Sequence, residues 1–392
     1  MKNYIPLLVA LLCAACVEPF NPNLNAAADV MVIEGYVLEG KIPAEVRLSR
    51  TFEVGSADRP VVSGAQVVIH DDQGGEFFLS EIRPGVYQSD TNLLTGTPDL
   101  SYQLKVTTSE GAYFESAWEK LSSSSPIERL YYELEDRPES APGSIDPGLR
   151  IYLDTRDPEN DSRYYRWEWE ETWEFTMPYA VFYTWNLVTN RVEPIPEEEW
   201  GFRCWRDNRS DNIQIATTAQ LQEDKVERFP LRFVSFRDNR ISRKYSLFVK
   251  QYVITQAAHS YWKALESLNE NLGTLFDPIP YEIIGNLRSP NDPDLPVIGY
   301  FSACGFTTGR MWITRQELPL TTRVARGFES CRLDSIPTVD RDLFVTLITQ
   351  GGYAYVDTIL SPFGSSVGWQ VAPRYCVDCR ESGSNQQPDF WE

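Results

Sequence analysis

The chain has 392 residues and a net charge of −20, from 36 basic and 56 acidic residues. That balance argues against a nucleic-acid partner, whose phosphates need a basic footprint. With two histidines, His70 and His259, there is little material for metal or acid–base chemistry, while 13% aromatic residues suit strands and interfaces.

Met1 to Cys16 has the form of a lipoprotein export signal. Lys2 gives a charged start, Ile5 to Leu12 a short apolar run, and Ala14-Ala15 the small residues that precede cleavage. The run is too short to span a bilayer, which takes about 20 residues. Cleavage removes residues 1–15 of 392 and leaves a mature chain of 377, with lipid on Cys16. Residues 16–30 read as a tether, rich in Pro, Asn and Ala and without periodicity.

Residues 31–120 are expected to form a β-sandwich of transthyretin or Ig-like type. Strands are predicted at Val30–Tyr36, Ala44–Leu48, Gly64–His70, Phe77–Leu79, Val86–Tyr87, Tyr102–Val106 and Tyr113–Phe114. Turn signals at Gly74-Gly75, Pro84-Gly85 and Glu110-Gly111 separate them. The order of a GAxVxI strand, a GxY turn and a YxLxV strand is similar to transthyretin-like and carboxypeptidase-regulatory-like modules. The run LSSSSP at 121–126 is the expected boundary, and 127–392 the second, larger, β-rich domain.

In that domain Asp136–Gly148 reads as a loop and Leu149–Leu153 as a strand. Tyr164–Phe175 alternates, placing Tyr165, Trp167, Trp169 and Trp173 on one face and Arg166, Glu168 and Glu170 on the other. Phe182–Val188 and Tyr245–Ile254 are further strands. One clear helix is predicted near 255–272. Thr255 caps it, Ala258, Tyr261, Trp262, Leu265, Leu268 and Leu272 follow helical spacing, and Gly273 ends it. Strands are then expected at Asn286–Leu287, Val297–Phe301, Met311–Thr314, Leu343–Leu347 and Tyr353–Leu360. The fold class is therefore mainly β.

Trp167, Trp169, Trp173, Tyr179, Tyr183 and Trp185 are candidate interaction aromatics, with core packing as the competing reading. Cys204, Cys304, Cys331, Cys376 and Cys379 are disulfide candidates, because an exported chain meets an oxidising environment. Five thiols allow two bridges and one free cysteine in fifteen arrangements, and the preferred partner of the Cys376-Val377-Asp378-Cys379 pair is Cys331. That pair alone cannot complete a zinc site.

Other motifs carry less. Gly364 to Gly368 matches a nucleophile elbow, but no histidine follows His259, so it reads as a loop. Asp154, Asp157, Glu159 and Asp161 have the oxygen chemistry calcium takes, without its loop spacing; they read as a solvated turn, as do Asn291, Asp292 and Asp294. His70 and His259 read as structural or solvent-facing. Asp334-Ser335-Ile336 and Asp357-Thr358-Ile359 match a short O-glycosylation signal of a length that chance produces often.

The run YSLFVKQYVITQAAHSYWKALESLNENLGTLFDPIP (245–280) precedes Ile284-Gly285-Asn286 and Val297-Ile298-Gly299-Tyr300-Phe301, and the chain closes with CVDCRESGSNQQPDFW (376–391). With the export signal and the GAxVxI sandwich, this combination resembles the Bacteroidota lipoprotein family catalogued as domain of unknown function 4249. The resemblance implies an outer-membrane location, surface or periplasmic, and genes that neighbour TonB-dependent transporters. It attaches no catalytic residues. The expected function is a non-enzymatic accessory or substrate-capture partner of such a transporter, held to the outer membrane by lipid, with no cofactor or metal. The alternatives are an extracytoplasmic hydrolase of exported polymers and a structural envelope protein.

Overall fold

A computed structural model describes residues 30–51, 60–139, 143–271, 283, 285–350 and 352–391. The expected export signal, Cys16 and most of the expected tether lie outside the described residues, as do Leu272, Gly273 and Ile284. The molecule is mainly β, with half of the chain in strands and 11% in helices.

Alternation of apolar and polar residues builds the first strands: β1 (Met31–Leu38), β2 (Glu45–Arg50), β3 (Gln66–Asp71), β4 (Glu76–Arg83), β5 (Val86–Gln88), β6 (Ser101–Thr107), β7 (Tyr113–Ser116) and β8 (Glu119–Lys120). They enclose one core, in which Ile33, Val46, Ile69, Leu104 and Phe114 are buried. Each contributes from the inward face of a strand, as a period of two demands.

The chain then forms β9 (Ile127–Pro138) and β10 (Ile145–Asp157), which pair along their lengths from Ile145↔Pro138 to Thr155↔Ile127. This corrects the expected loop at Asp136–Gly148: most of it is hairpin arm, with Pro138 and Ile145 already in register. β11 (Tyr164–Thr176) is followed by a short hairpin of β12 (Tyr183–Asn186) and β13 (Arg191–Pro194), then β14 (Arg203–Arg209), β15 (Gln214–Thr217), β16 (Asp224–Ser235) and β17 (Lys244–Val253). Helix α1 (Gln256–Asn271) comes next. The Thr255 hydroxyl accepts the Ala258 N–H at 3.2 Å, the capping bond the sequence led us to expect.

After α1 come β18 (Leu287–Arg288), β19 (Val297–Thr314), β20 (Asp334–Pro337), helix α2 (Arg341–Thr349), β21 (Tyr353–Leu360) and β22 (Ser366–Pro373). Two expectations are corrected here. The two short strands expected within 297–314 are one continuous strand. Within it Gly305 is where backbone passes backbone, since a Cβ there would lie 2.6 Å from Ser123. Leu343–Leu347 is helix, not strand. Its Val, Thr and Ile favour strands, but burying Phe344 against Trp185 and Trp369 decides the state.

The main sheet runs β14-β11-β17-β19-β1-β2-β5-β4-β3-β6-β7-β18. β1 and β19 pair in parallel over eight residues, from Met31↔Val297 to Leu38↔Cys304. Hydrogen bonding is thus continuous between the sandwich strands and the later ones, and β18 returns to pair β7. Gly299 permits the join: its φ is +117°, and a Cβ there would meet the Ile33 carbonyl at 1.9 Å. The 121–126 run is packed as well, with Leu121 at 0% and Ser125 at 1% exposure.

The inward face of β11, β17 and β19 packs on the three-stranded sheet β16-β10-β9. Trp167, Trp169 and Trp173 lie in this core at 1%, 4% and 4% exposure. They are corrected from interaction candidates to core residues: the apolar face of an alternating strand turned inward. The smaller sheet β20-β22-β21 and the hairpin β12-β13 form a satellite lobe with α2.

Candidate functional site

The opposite face of the same sheet carries a groove. Alternation that buries Trp167 and Trp169 on β11 turns Arg166, Glu168 and Glu170 outward. On β17 it turns Lys250 and Tyr252 outward, on β19 Tyr300 and Ser302, and on β1 Glu34 and Tyr36. Helix α1 closes one side with Tyr261 and Trp262. The enclosed cavity is about 400 Å³, within the range of ligand sites. A second cavity of about 520 Å³ adjoins it through Glu170 and Arg209, and is bounded by Phe248, Arg310, Pro388 and Phe390.

The groove's charges are held in place. Arg47 pairs with Glu45 at 2.7 Å, Lys250 with Glu170 at 2.6 Å, and Arg166 with Glu168. The Arg166 guanidinium lies 4.0 Å from the Trp262 ring and 5.2 Å from Tyr252, and the Tyr252 hydroxyl donates to Glu168 at 2.9 Å. Such stacking orients a planar fork. At the far end Arg310 rests 3.9 Å from the Phe390 ring and donates to the Ser246 hydroxyl at 2.7 Å. Trp391, 4% exposed, anchors that closing segment against Trp205 and Trp312.

Burial pushes the Tyr261 phenol up to about 12, and the Cys304 thiol also up to about 12. Cys304 is the free cysteine among the described residues. It borders the groove, and its burial disfavours the thiolate.

Under the groove floor, Glu119 is 4% exposed and has only neutral donors. Tyr300 donates to it at 2.6 Å, Thr255 at 2.8 Å and Asn286 at 3.1 Å. It ties the sandwich, the start of α1 and β19 together. Burial raises its carboxyl above the usual range against those hydrogen bonds. A raised carboxyl favours the folded state when protonated, and that advantage fades as pH climbs from about 4.5 through the folded value. Glu119→Gln is therefore expected to melt increasingly above the parent protein as pH rises from about 4.5 through the folded value, and by a constant margin beyond it. A melting difference that shrinks over that range would contradict the assignment.

The other sequence candidates resolve as follows. Cys204 bridges Cys379 and Cys331 bridges Cys376, so each cysteine of the 376–379 pair holds a distant strand or loop, one of them the expected Cys331. Tyr179 is half-buried beside Cys331, Trp185 packs edge-on to Phe344, and Tyr183 is 53% exposed. These three belong to the satellite lobe and do not join the groove. His70 faces Glu76, and His259 lies against the Tyr164 ring. Asp157 accepts backbone N–H groups from Glu159, Asp161 and Ser162, while Asp154 pairs with Arg129 at 2.6 Å. Those acids serve turn and strand structure, and among the described residues no three ligating side chains cluster for a metal. Gly364 sits in a turn, with Ser366 beginning β22. Ser335 and Asp357 both pair Gln370 of β22, on opposite sides of it.

Sequence reasoning did not single out the groove. Arg166, Glu168 and Glu170 were legible as the polar face of their strand, yet their convergence with Tyr36, Tyr261 and Tyr300 depends on the parallel β1–β19 pairing. No local signal reports that pairing.

The family model described as "Domain of unknown function (DUF4249)" matches residues 17–310. The chain belongs to this family. The match includes every strand and the helix that line the first cavity of this DUF4249 protein, whereas Pro388 and Phe390 lie beyond it. No curated protein matches the chain. Among solved structures, trypsin-activated alpha-2-macroglobulin from Escherichia coli is similar at 7% identity and a TM-score of 0.17, over 88% of this chain and 18% of that one. This chain thus spans less than a fifth of that structure's length, and so remote a likeness carries no argument.

Proposed function

We propose that this protein is a lipid-anchored accessory of a TonB-dependent outer-membrane transporter that captures a ligand in the sheet-face groove. The observation that carries the proposal is the groove itself: two adjoining cavities walled by aromatic rings and by oriented guanidinium and carboxylate groups. Strand ladders fix those groups, which is the rigidity a binding site needs. The Met1–Cys16 segment supports the anchor. Glu45, Glu168 and Glu170 are each held in an ion pair, which suits a fixed recognition surface. A native pull-down from detergent-solubilised outer membranes, using a C-terminal tag, is expected to recover a TonB-dependent transporter in equal amount. Recovery of the lipoprotein alone would contradict a stable complex.

A further inference from the structure

The charge within the groove differs from that of the chain. The protein carries −20 overall. Around the two cavities the acids are Glu34, Glu45, Glu168, Glu170 and Asp207. The bases are Arg47, Arg166, Arg209, Lys250 and Arg310. Five face five, so the lining itself carries no net charge to select an anion or a cation.

The pairing sharpens this. Glu45 with Arg47, Glu168 with Arg166 and Glu170 with Lys250 set an acceptor beside a donor. An anion or cation seated there has to compete with an existing ion pair. A hydroxyl donates and accepts at once, so adjacent hydroxyls satisfy such a pair without breaking it. The rings of Tyr261, Trp262, Phe248 and Phe390 add apolar surface at intervals along the groove. Arg166 covers one face of Trp262, and Arg310 one face each of Phe390 and Phe248, so the rings offer their remaining apolar surface beside the donor–acceptor pairs, which complements a molecule with C–H faces and hydroxyl edges.

The location disfavours an extended peptide. β11 lies between β14 and β17, and β19 lies between β17 and β1. Their backbone groups are engaged in ladders, so the groove floor has no edge to which a peptide strand can add. Recognition falls to side chains. The two cavities, about 400 and 520 Å³, share Glu170 and Arg209, which calls for an elongated ligand.

We infer that the groove binds a neutral, linear oligosaccharide. The inference rests on the capture reading and names its ligand class. The test is an array carrying neutral glycans, acidic glycans and peptides, probed with the full-length lipoprotein in detergent, with affinities of retained probes measured by calorimetry. Retention of neutral glycans is expected, with Trp262→Ala and Arg209→Ala each weakening binding at least tenfold. Arg209 is exposed, so its variant serves should Trp262→Ala disturb α1. Retention of acidic glycans or peptides in a manner sensitive to Arg209→Ala would overturn the ligand class and leave capture standing. Binding indifferent to both variants, or no retention of any probe, would overturn the groove as the seat and capture with it.

Discussion

Replacing Glu171 with alanine is expected to destabilise the fold by about 3–5 kcal/mol, the usual cost of breaking a buried ion pair from one side. Glu171 is 0% exposed. Arg232 reaches it with two nitrogens at 3.0 and 3.2 Å, Arg240 with one at 3.1 Å, Asn208 at 2.9 Å and the Tyr245 hydroxyl at 2.8 Å. These partners come from β14, β16, β17 and the turn before β17, so one carboxylate holds both sheets of the larger core. Alanine leaves the Arg232 guanidinium without the carboxylate it pairs with, while Arg240 keeps its second partner, Asp238. Burial opposes ionisation of Glu171, but Arg232, Asn208 and Arg240 outweigh it and hold the carboxyl below its ordinary value. The network's contribution is therefore complete above about pH 4.5 and is lost as pH falls through the folded value. Urea unfolding of Glu171→Ala at pH 7 measures the effect; a loss under about 1 kcal/mol would show that the network is dispensable.

Removing the Cys204–Cys379 bridge is expected to cost about 5 kcal/mol, and removing Cys331–Cys376 about 4 kcal/mol, from loop-closure entropy in the unfolded chain. The first bridge spans 175 residues and the second 45. Their structural reach differs. Cys204 and Cys379 are both 0% exposed, and they fasten the C-terminal segment to β14 beside the main core. Cys331 and Cys376 sit in the satellite lobe with Val181, Ala372 and Val377. Paired alanine replacement at 204 and 379 should lower global stability and release the closing segment that presents Phe390 to the groove. Replacement at 331 and 376 should loosen the satellite lobe first. Denaturant titration of both double variants checks the order; equal stability with and without the first bridge would contradict it.

Much of the fold was legible because alternation and turn residues are local. The sandwich strands fall close to their expected positions, and Thr255 caps the helix as read. What escaped notice depended on distant partners. The middle of β19 went unread, and its Gly305 is matched to the Ser123 backbone that crosses it, far off in sequence. Leu343–Leu347 read as a strand, whereas Trp185 and Trp369 supply a face for Phe344 to bury against in a helix. The site was missed for a related reason. Alternation showed that β11 has a tryptophan face and a charged face, but burial decides their roles. The tryptophans, read as interface or core, fill the core, and the charged face borders the groove. The disulfide pattern was partly legible, since chemistry limited it to two bridges and a free thiol.

The central claim is that the groove between α1 and the outward face of β11, β17 and β19 is where a ligand sits. Hydrogen exchange of the full-length protein, measured with and without the neutral glycan fraction retained on the array, tests it most directly. Protection is expected in 256–268, at the first turns of α1, and in 386–391 at the far cavity. Protection confined to the β12–β13 hairpin or to the small sheet around β22 would contradict it.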